Sequence, residues 1–170
     1  MPASLLYNSD MIGILSDSHD NLDALGKAVR FFKNSGCGLI LHAGDFVAPF
    51  AAKLLGEAGC EVKAVCGNCD GEKEGLKATI SPFGTIGKAP FLFTYEGKKI
   101  AVTHLNGPVG ALIESRAHDL IVFGHTHRPE IRKAGPALVV NPGETGGQVT
   151  GQSTVALYDP QTGEISIYPL

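Results

Sequence analysis

Apolar residues in this chain gather first in short unbroken runs and later in alternation, and the change divides the sequence in two. MIGILS (11–16), GLILH (38–42) and EVKAVCG (61–67) are brief apolar runs closed by Gly, Asn or Asp. That is the pattern of strands buried on both faces. Between them, NLDALGKAVRFFKNSG (21–36) places Leu22, Leu25, Val29 and Phe32 at helical spacing. Asn21 stands where a cap is needed and Gly36 where a helix stops. FVAPFAAKLLGEAG (46–59) reads as a second helix, with Pro49 tolerated only in its first turn. Strand–helix alternation predicts right-handed crossovers and a parallel sheet.

The second half reads differently. PFLFTYEGKKIAVTH (90–104) is a hairpin turning at EGKK. PVGALIESRA (108–117) is a short helix and DLIVF (119–123) a buried strand. After residue 129 the pattern is nearly all strand: PEIRKAG, ALVVNPG, STVALYD and GEISIYPL, parted by the turns KAGP and DPQTG. Residues 71–89 and 143–151 read as loops. The expectation is one α/β domain over 11–170 with two sheets and helices outside, preceded by an N-terminal extension at 1–10.

Composition narrows the possible functions. The formal charge is −3 over 170 residues, which argues against a general nucleic-acid footprint. No run approaches the ~18 apolar residues of a membrane span, and MPASLLYNSD lacks the features of a signal peptide. A cytoplasmic protein with reduced thiols is expected. Cys66 and Cys69 form a C-x-x-C, but a polar turn follows it rather than a helix, so a redox or zinc role is the weaker reading.

The chemistry-bearing residues share one position relative to the strands. The first strand is followed by Asp17 and His19, the second by Gly44 and Asp45, and the third by Gly67, Asn68 and Asp70. The strand ending at Thr103 is followed by His104, and the 119–123 strand by Gly124, His125 and His127. Carboxyl ends of strands in an open α/β sheet share one edge, where ligands bind. Singly, an aspartate after a strand is a cap or turn residue and a histidine is a packed or surface residue. Together, Asp17, His19, Asp45, Asn68, His104, His125 and His127 point to a metal centre. Seven ligands exceed the three or four of one zinc site, so two ions sharing a bridging carboxylate are expected. Such a centre keeps positive charge and attracts an anion, and a phosphate ester fits a two-ion clamp. The imidazole and carboxylate set suits Mn²⁺ first, with Fe, Ni²⁺, Co²⁺ or Zn²⁺ as alternatives.

The ordered motifs Asp17-x-His19, Gly44-Asp45, Gly67-Asn68-x-Asp70, His104 and Gly124-His125-x-His127 resemble the calcineurin-like metallophosphoesterase signature. GNCD, GHTH followed by RP, and NPG (141–143) are similar to the small single-domain phosphodiesterases of the YfcE/MJ0936-like group. The resemblance implies a four-layer αββα sandwich of two mixed β-sheets flanked by helices. It implies one ion held by Asp17, His19, Asp45 and His127, and another by Asp45, Asn68, His104 and His125. Asp45 would bridge, and Asn68 would also touch a phosphoryl oxygen. The activity implied is hydrolysis of a small phosphate ester by a metal-bound hydroxide. Asp70 then either orients an imidazole or is simply a turn acid, and Arg128 either meets substrate phosphate or forms a surface ion pair. His42 is expected to pack in the core and His118 to be exposed. Glycines 44, 67 and 124 would let the backbone turn sharply beneath the ions.

Two positions depart from the larger relatives. Cys69 stands where they carry a histidine that protonates the leaving oxygen, and Ala48 where they carry the acid that orients it. With both gone, leaving groups that need little protonation should be favoured, which points to aryl phosphodiesters. Asn106, where many relatives have a second histidine, alters the rim of the pocket. The rival activities are a phosphomonoesterase, a nuclease or a non-catalytic scaffold of the same fold. Exposed strands in the 90–103 hairpin would permit a homodimer.

Overall fold

The computed structural model describes residues 10–170, so the expected extension falls almost wholly outside the described residues. Two mixed sheets stack face to face between outer helices. The first sheet carries β1 (Met11–Leu15), β2 (Cys37–His42), β3 (Glu61–Val65) and β4 (Gly84–Gly87) in parallel. It is extended antiparallel beyond β1 by β10 (Thr154–Tyr158) and β11 (Ile165–Pro169). The second sheet has the order β5 (Phe91–Tyr95), β6 (Lys98–Val102), β7 (Leu120–Val122), β9 (Ala137–Asn141) and β8 (Glu130–Ala134). Its central β6–β7–β9 pairings are parallel and both edges antiparallel.

Side-chain alternation along these strands explains the layering. Ile12, Ile14, Leu39 and Leu41 face Ile100, Val102, Leu120, Val122 and Val140, making the core between the sheets. The intervening Leu15 and Ile40 face outward onto Leu25, Ala28 and Phe32 of α1 (Leu22–Asn34). On the far side, Ala101, Ile121 and Val139 meet Val109 of α4 (Val109–Glu114). Both faces of the central strands are therefore apolar, as their unbroken runs require. Gly13 interrupts the β1 run because a Cβ there would strike the Phe32 ring.

Asn21 caps α1 as expected, accepting from the Ala24 N–H at 3.1 Å. Leu22 does not join its buried face and stays 47% exposed, since it lies in the first turn beyond the core. The 46–59 helix is shorter than expected. Ala48 is extended (φ −115°, ψ 148°), as a residue before proline prefers, so α2 spans only Pro49–Ala52. It continues as a 3₁₀ helix over Lys53–Ala58 that Gly59 ends at φ 75°. Residues 71–89 are not a loop: they form α3 (Lys73–Ile80) and β4. The hairpin turns at Glu96 and Gly97, both at positive φ, with Tyr95 paired to Lys98. Its outer strand β5 is a sheet edge and exposes Leu92. Among the described residues no helix is long and apolar enough to cross a membrane.

Candidate metal centre

The loops leaving β1, β2, β3, β6 and β7 converge at one end of the stacked sheets and are tied to one another by backbone hydrogen bonds. Asp17 N–H donates to Gly44 O at 2.9 Å, His19 N–H to Asp45 O at 3.1 Å, and Gly124 N–H to His104 O at 3.0 Å. Five of the seven expected ligands adopt left-handed backbone: Asp17 (φ 52°), His19 (φ 41°), Asp45 (φ 60°), His125 (φ 67°) and His127 (φ 60°). Such conformations are costly for non-glycine residues and persist where the surroundings impose them, as at functional sites. Gly44 (φ 100°) does serve as a turn residue. Gly67 and Gly124 act instead through close approach. A Cβ on Gly67 would land on the Asp45 carboxylate, and one on Gly124 on the Ser16 hydroxyl.

Asp17 is fully buried. Its Oδ2 accepts from the Ser16 hydroxyl at 2.5 Å and the His125 N–H at 3.1 Å. Its Oδ1 has no hydrogen-bond partner and faces His127 Nε2 at 3.3 Å and His19 Nε2 at 3.8 Å. Asp45 is equally enclosed. Its Oδ1 accepts from the Cys69 N–H at 2.8 Å, and its Oδ2 faces His104 Nε2 at 3.4 Å and His19 Nε2 at 3.7 Å. Burial pushes the Asp45 carboxyl upward, but His104 and the Cys69 N–H outweigh it and hold the group below its ordinary range. Asp45 thus stands between the Asp17–His19–His127 group and the His104 side, while Asp17, Asp45 and His104 also offer atoms within 4.8 Å of one another. On the His104 side, Asn68 Oδ1 lies 2.8 Å from His104 Nε2 and 2.9 Å from His125 Nδ1. All seven expected residues therefore meet at one place.

The donor chemistry fits a cation. His104 Nδ1 donates to the Ala43 carbonyl at 2.8 Å and His127 Nδ1 to the Glu144 carboxylate at 2.7 Å. In a neutral imidazole that leaves the Nε2 lone pair facing inward, toward Asp45 Oδ2 and Asn68 Oδ1 for His104 and Asp17 Oδ1 for His127. Lone pairs converging on the unpartnered Asp17 Oδ1 and on Asp45 Oδ2 repel unless positive charge lies among them. Two buried carboxylates without a nearby Lys or Arg ion pair make the same demand. Without a cation the imidazoles must supply that charge: burial lowers the His104 pKa, the Asp45 contact outweighs this, and the net shift is upward.

Sequence reasoning missed part of the supporting structure. Glu144, fully buried, fixes the His127 ring and accepts from Val149 N–H, Thr150 N–H and the Thr150 hydroxyl. Burial raises its carboxyl, but Thr150, His127 and Val149 together hold it below the ordinary range. Its signal was an acid directly after NPG, beside the quoted motif. Asn141 of that motif donates to Gly124 O at 2.9 Å and Thr126 Oγ at 3.0 Å, steadying the loop that carries His125 and His127. Asp70 orients no imidazole. It is buried and accepts from the N–H groups of Asp45, Val47 and Gly67 at 3.0, 2.8 and 2.7 Å, clamping two ligand loops together. His42 is a core residue as expected. It stacks on Phe46 at 3.6 Å and bonds Ser18 Oγ, and burial above all pushes its pKa down to about 3, leaving it neutral. Arg128 is exposed and His118 only half-buried. The four cysteines are free thiols.

Replacing Glu144 with glutamine is expected to lower divalent-cation affinity about 10–100-fold, the usual effect of losing a carboxylate behind a ligand imidazole. Calorimetric titration of Mn²⁺ into the chelator-stripped variant measures it; unchanged affinity would detach Glu144 from the centre.

Residues 11–163 match the family model of the calcineurin-like phosphoesterase superfamily domain. The chain is 31% identical over 157 residues to phosphodiesterase MJ0936 of Methanocaldococcus jannaschii, covering 90% of this chain and 95% of that one. It is 30% identical over 143 residues to phosphodiesterase YfcE of Escherichia coli K12, covering 75% of each. A solved archaeal phosphodiesterase superposes with a TM-score of 0.90 at 30% identity, over 94% of this chain and 99% of that one.

Proposed function

As the chain belongs to the calcineurin-like phosphoesterase superfamily, we propose that it is a metal-dependent phosphodiesterase acting on small phosphate esters. The observation that carries the reading is Asp45, whose Oδ2 faces His19 on one side and His104 on the other. Asp17, His19, Asp45 and His127 would hold one divalent cation, and Asp45, Asn68, His104 and His125 a second. When bound, a cation pair supplies Lewis-acid activation of the phosphoryl group and an acidified water. The protein's part is to fix these ligands with buried partners, so that little reorganisation accompanies charge development. Asn68, exposed at the rim, would also meet a non-bridging phosphoryl oxygen. Mn²⁺ leads among the expected metals, with Fe, Ni²⁺, Co²⁺ and Zn²⁺ of matching donor preference.

The phosphodiesterase reading is favoured over a monoesterase by the relatives MJ0936 and YfcE, both named phosphodiesterases, and Cys69 adds a preference for leaving groups that need little protonation. Its thiol is pushed above its ordinary range by burial and the Asp45 carboxylate, and it is a weak donor to an alkoxide. The test is hydrolysis of bis(4-nitrophenyl) phosphate after chelation with EDTA and after stepwise return of Mn²⁺. Activity should vanish and return with the metal. Hydrolysis insensitive to EDTA contradicts the metal dependence, and none on return of Mn²⁺, Fe, Ni²⁺, Co²⁺ or Zn²⁺ contradicts the activity and favours a scaffold.

A further inference from the structure

The segment that folds into α3 and β4 builds a second cavity beside the candidate metal centre. It measures about 440 Å³ and is lined by Lys73, Lys77, Ile86 and Lys88, with Cys66 and Ala89 in its wall. Every charged side chain lining it is a lysine. Among the described residues, Lys77 pairs with Glu74 at 2.9 Å, whereas Lys73 and Lys88 form no ion pair. The neighbouring cavity, about 260 Å³, is lined by the candidate ligands Asn68 and His104 and by Leu105 and Pro108. Cys66 and Ala89 belong to both walls, so the two cavities adjoin. A larger apolar groove of about 830 Å³ between Phe50 and Phe83 touches no candidate ligand.

We propose that the lysine cavity is an anion subsite of the substrate pocket, receiving a second phosphate carried by one organic group of the ester cleaved at the metal centre. The inference rests on the phosphodiesterase reading and adds a substrate class to it: small diesters bearing a remote phosphate monoester. Charge and place both favour an anion there. The chain is acidic overall, yet three ammonium groups gather in one concavity next to the ligands. Lysine serves as a point charge for phosphate, so a dianion there gains from Lys73 and Lys88 directly and from Lys77 in exchange for its Glu74 contact. Cys66, Leu105 and Pro108 give the cavity beside the ligands an apolar wall, which suits the uncharged part of the ester between its two phosphates. The lysines are exposed, so the preference should weaken as salt screens them.

The Mn²⁺-loaded full chain is assayed on thymidine 5′-(4-nitrophenyl phosphate) and on the same ester phosphorylated at its 3′-oxygen. The expected result is a kcat/KM about tenfold higher for the phosphorylated ester, a size typical of added contacts to a charged group. That ratio should fall to about one in Lys73→Ala/Lys77→Ala/Lys88→Ala and persist in the corresponding triple Arg variant. A ratio is read within each protein, so a general loss of activity does not imitate the effect. In parallel, calorimetry compares thymidine 3′,5′-bisphosphate with thymidine 5′-monophosphate as ligands. If neither ester is cleaved, the phosphodiesterase reading fails, and the bisphosphate still binds about tenfold tighter where the subsite exists. A ratio near one in the unaltered protein overturns the subsite, as does a preference that survives the alanine variant. So does a lysine effect confined to cleavage of a 20-mer oligonucleotide, which would make the cavity a nucleic-acid track.

Discussion

Asparagine at position 45 is expected to lower kcat/KM for an aryl phosphodiester by at least about 10³-fold, or roughly 4 kcal/mol of transition-state stabilisation. Among the described residues, Asp45 Oδ2 is the carboxylate oxygen that faces imidazoles of both halves of the centre. Asparagine keeps an Oδ1 to accept the Cys69 N–H, so the loop holds while the negative charge goes. Folding stability of the metal-free protein should fall as well. His104 and the Cys69 N–H hold the Asp45 carboxyl below its ordinary range, so its charge stabilises the fold near neutral pH and asparagine removes that contribution. The rise in Tm that a ligand gives by binding only the folded state should then shrink or disappear in the variant. Paired measurements of kcat/KM and Tm with and without Mn²⁺ check this. Asp45→Asn with unaltered activity and an unaltered metal-induced Tm shift removes Asp45 from the centre.

The second large effect concerns the leaving group. Cys69 is exposed at the rim, with its sulfur within reach of both His19 and Asp45. Held as a neutral thiol by partial burial and the Asp45 carboxylate, it donates a proton to an alkoxide poorly. Rates in the unaltered protein should therefore fall steeply as the leaving-group pKa rises. Installing the missing pair, Cys69→His with Ala48→Asp, should raise the rate on alkyl esters by about 10²-fold, the lower end of what a general acid provides. It should leave good aryl leaving groups nearly unchanged. Cys69→His alone should gain less, because nothing would orient the new ring. A flat dependence on leaving-group pKa in the unaltered protein sinks this argument.

The central strands were legible because both of their faces are buried, which writes an unbroken apolar run into β1, β2, β7 and β9. The candidate ligands were legible for a related reason: a polar residue directly after such a run stands at a sheet edge. What escaped was structure with a thin apolar signature. α3 buries only Leu76 and Ile80, one helical turn apart, and β4 is the four residues GTIG, half of them glycine. The 46–59 helix is shorter than its apolar spacing suggests because Pro49 imposes an extended bias on Ala48. Glu144 and the role of Asp70 escaped because each acts on a group distant in sequence, the His127 ring and the Asp45 and Val47 amides. Contacts of that kind follow from how the sheets pack. The lysine cavity escaped with α3 and β4, since its cations are scattered until that segment folds.

The central claim is that one carboxylate joins two cation sites. Anomalous X-ray scattering from crystals grown with Mn²⁺ and no chelator tests it most directly. Two peaks about 3.5–4 Å apart are expected, one beside Asp17, His19 and His127 and the other beside Asn68, His104 and His125, with an Asp45 oxygen touching both. A lone peak, or a pair to which Asp45 contributes no oxygen, contradicts it.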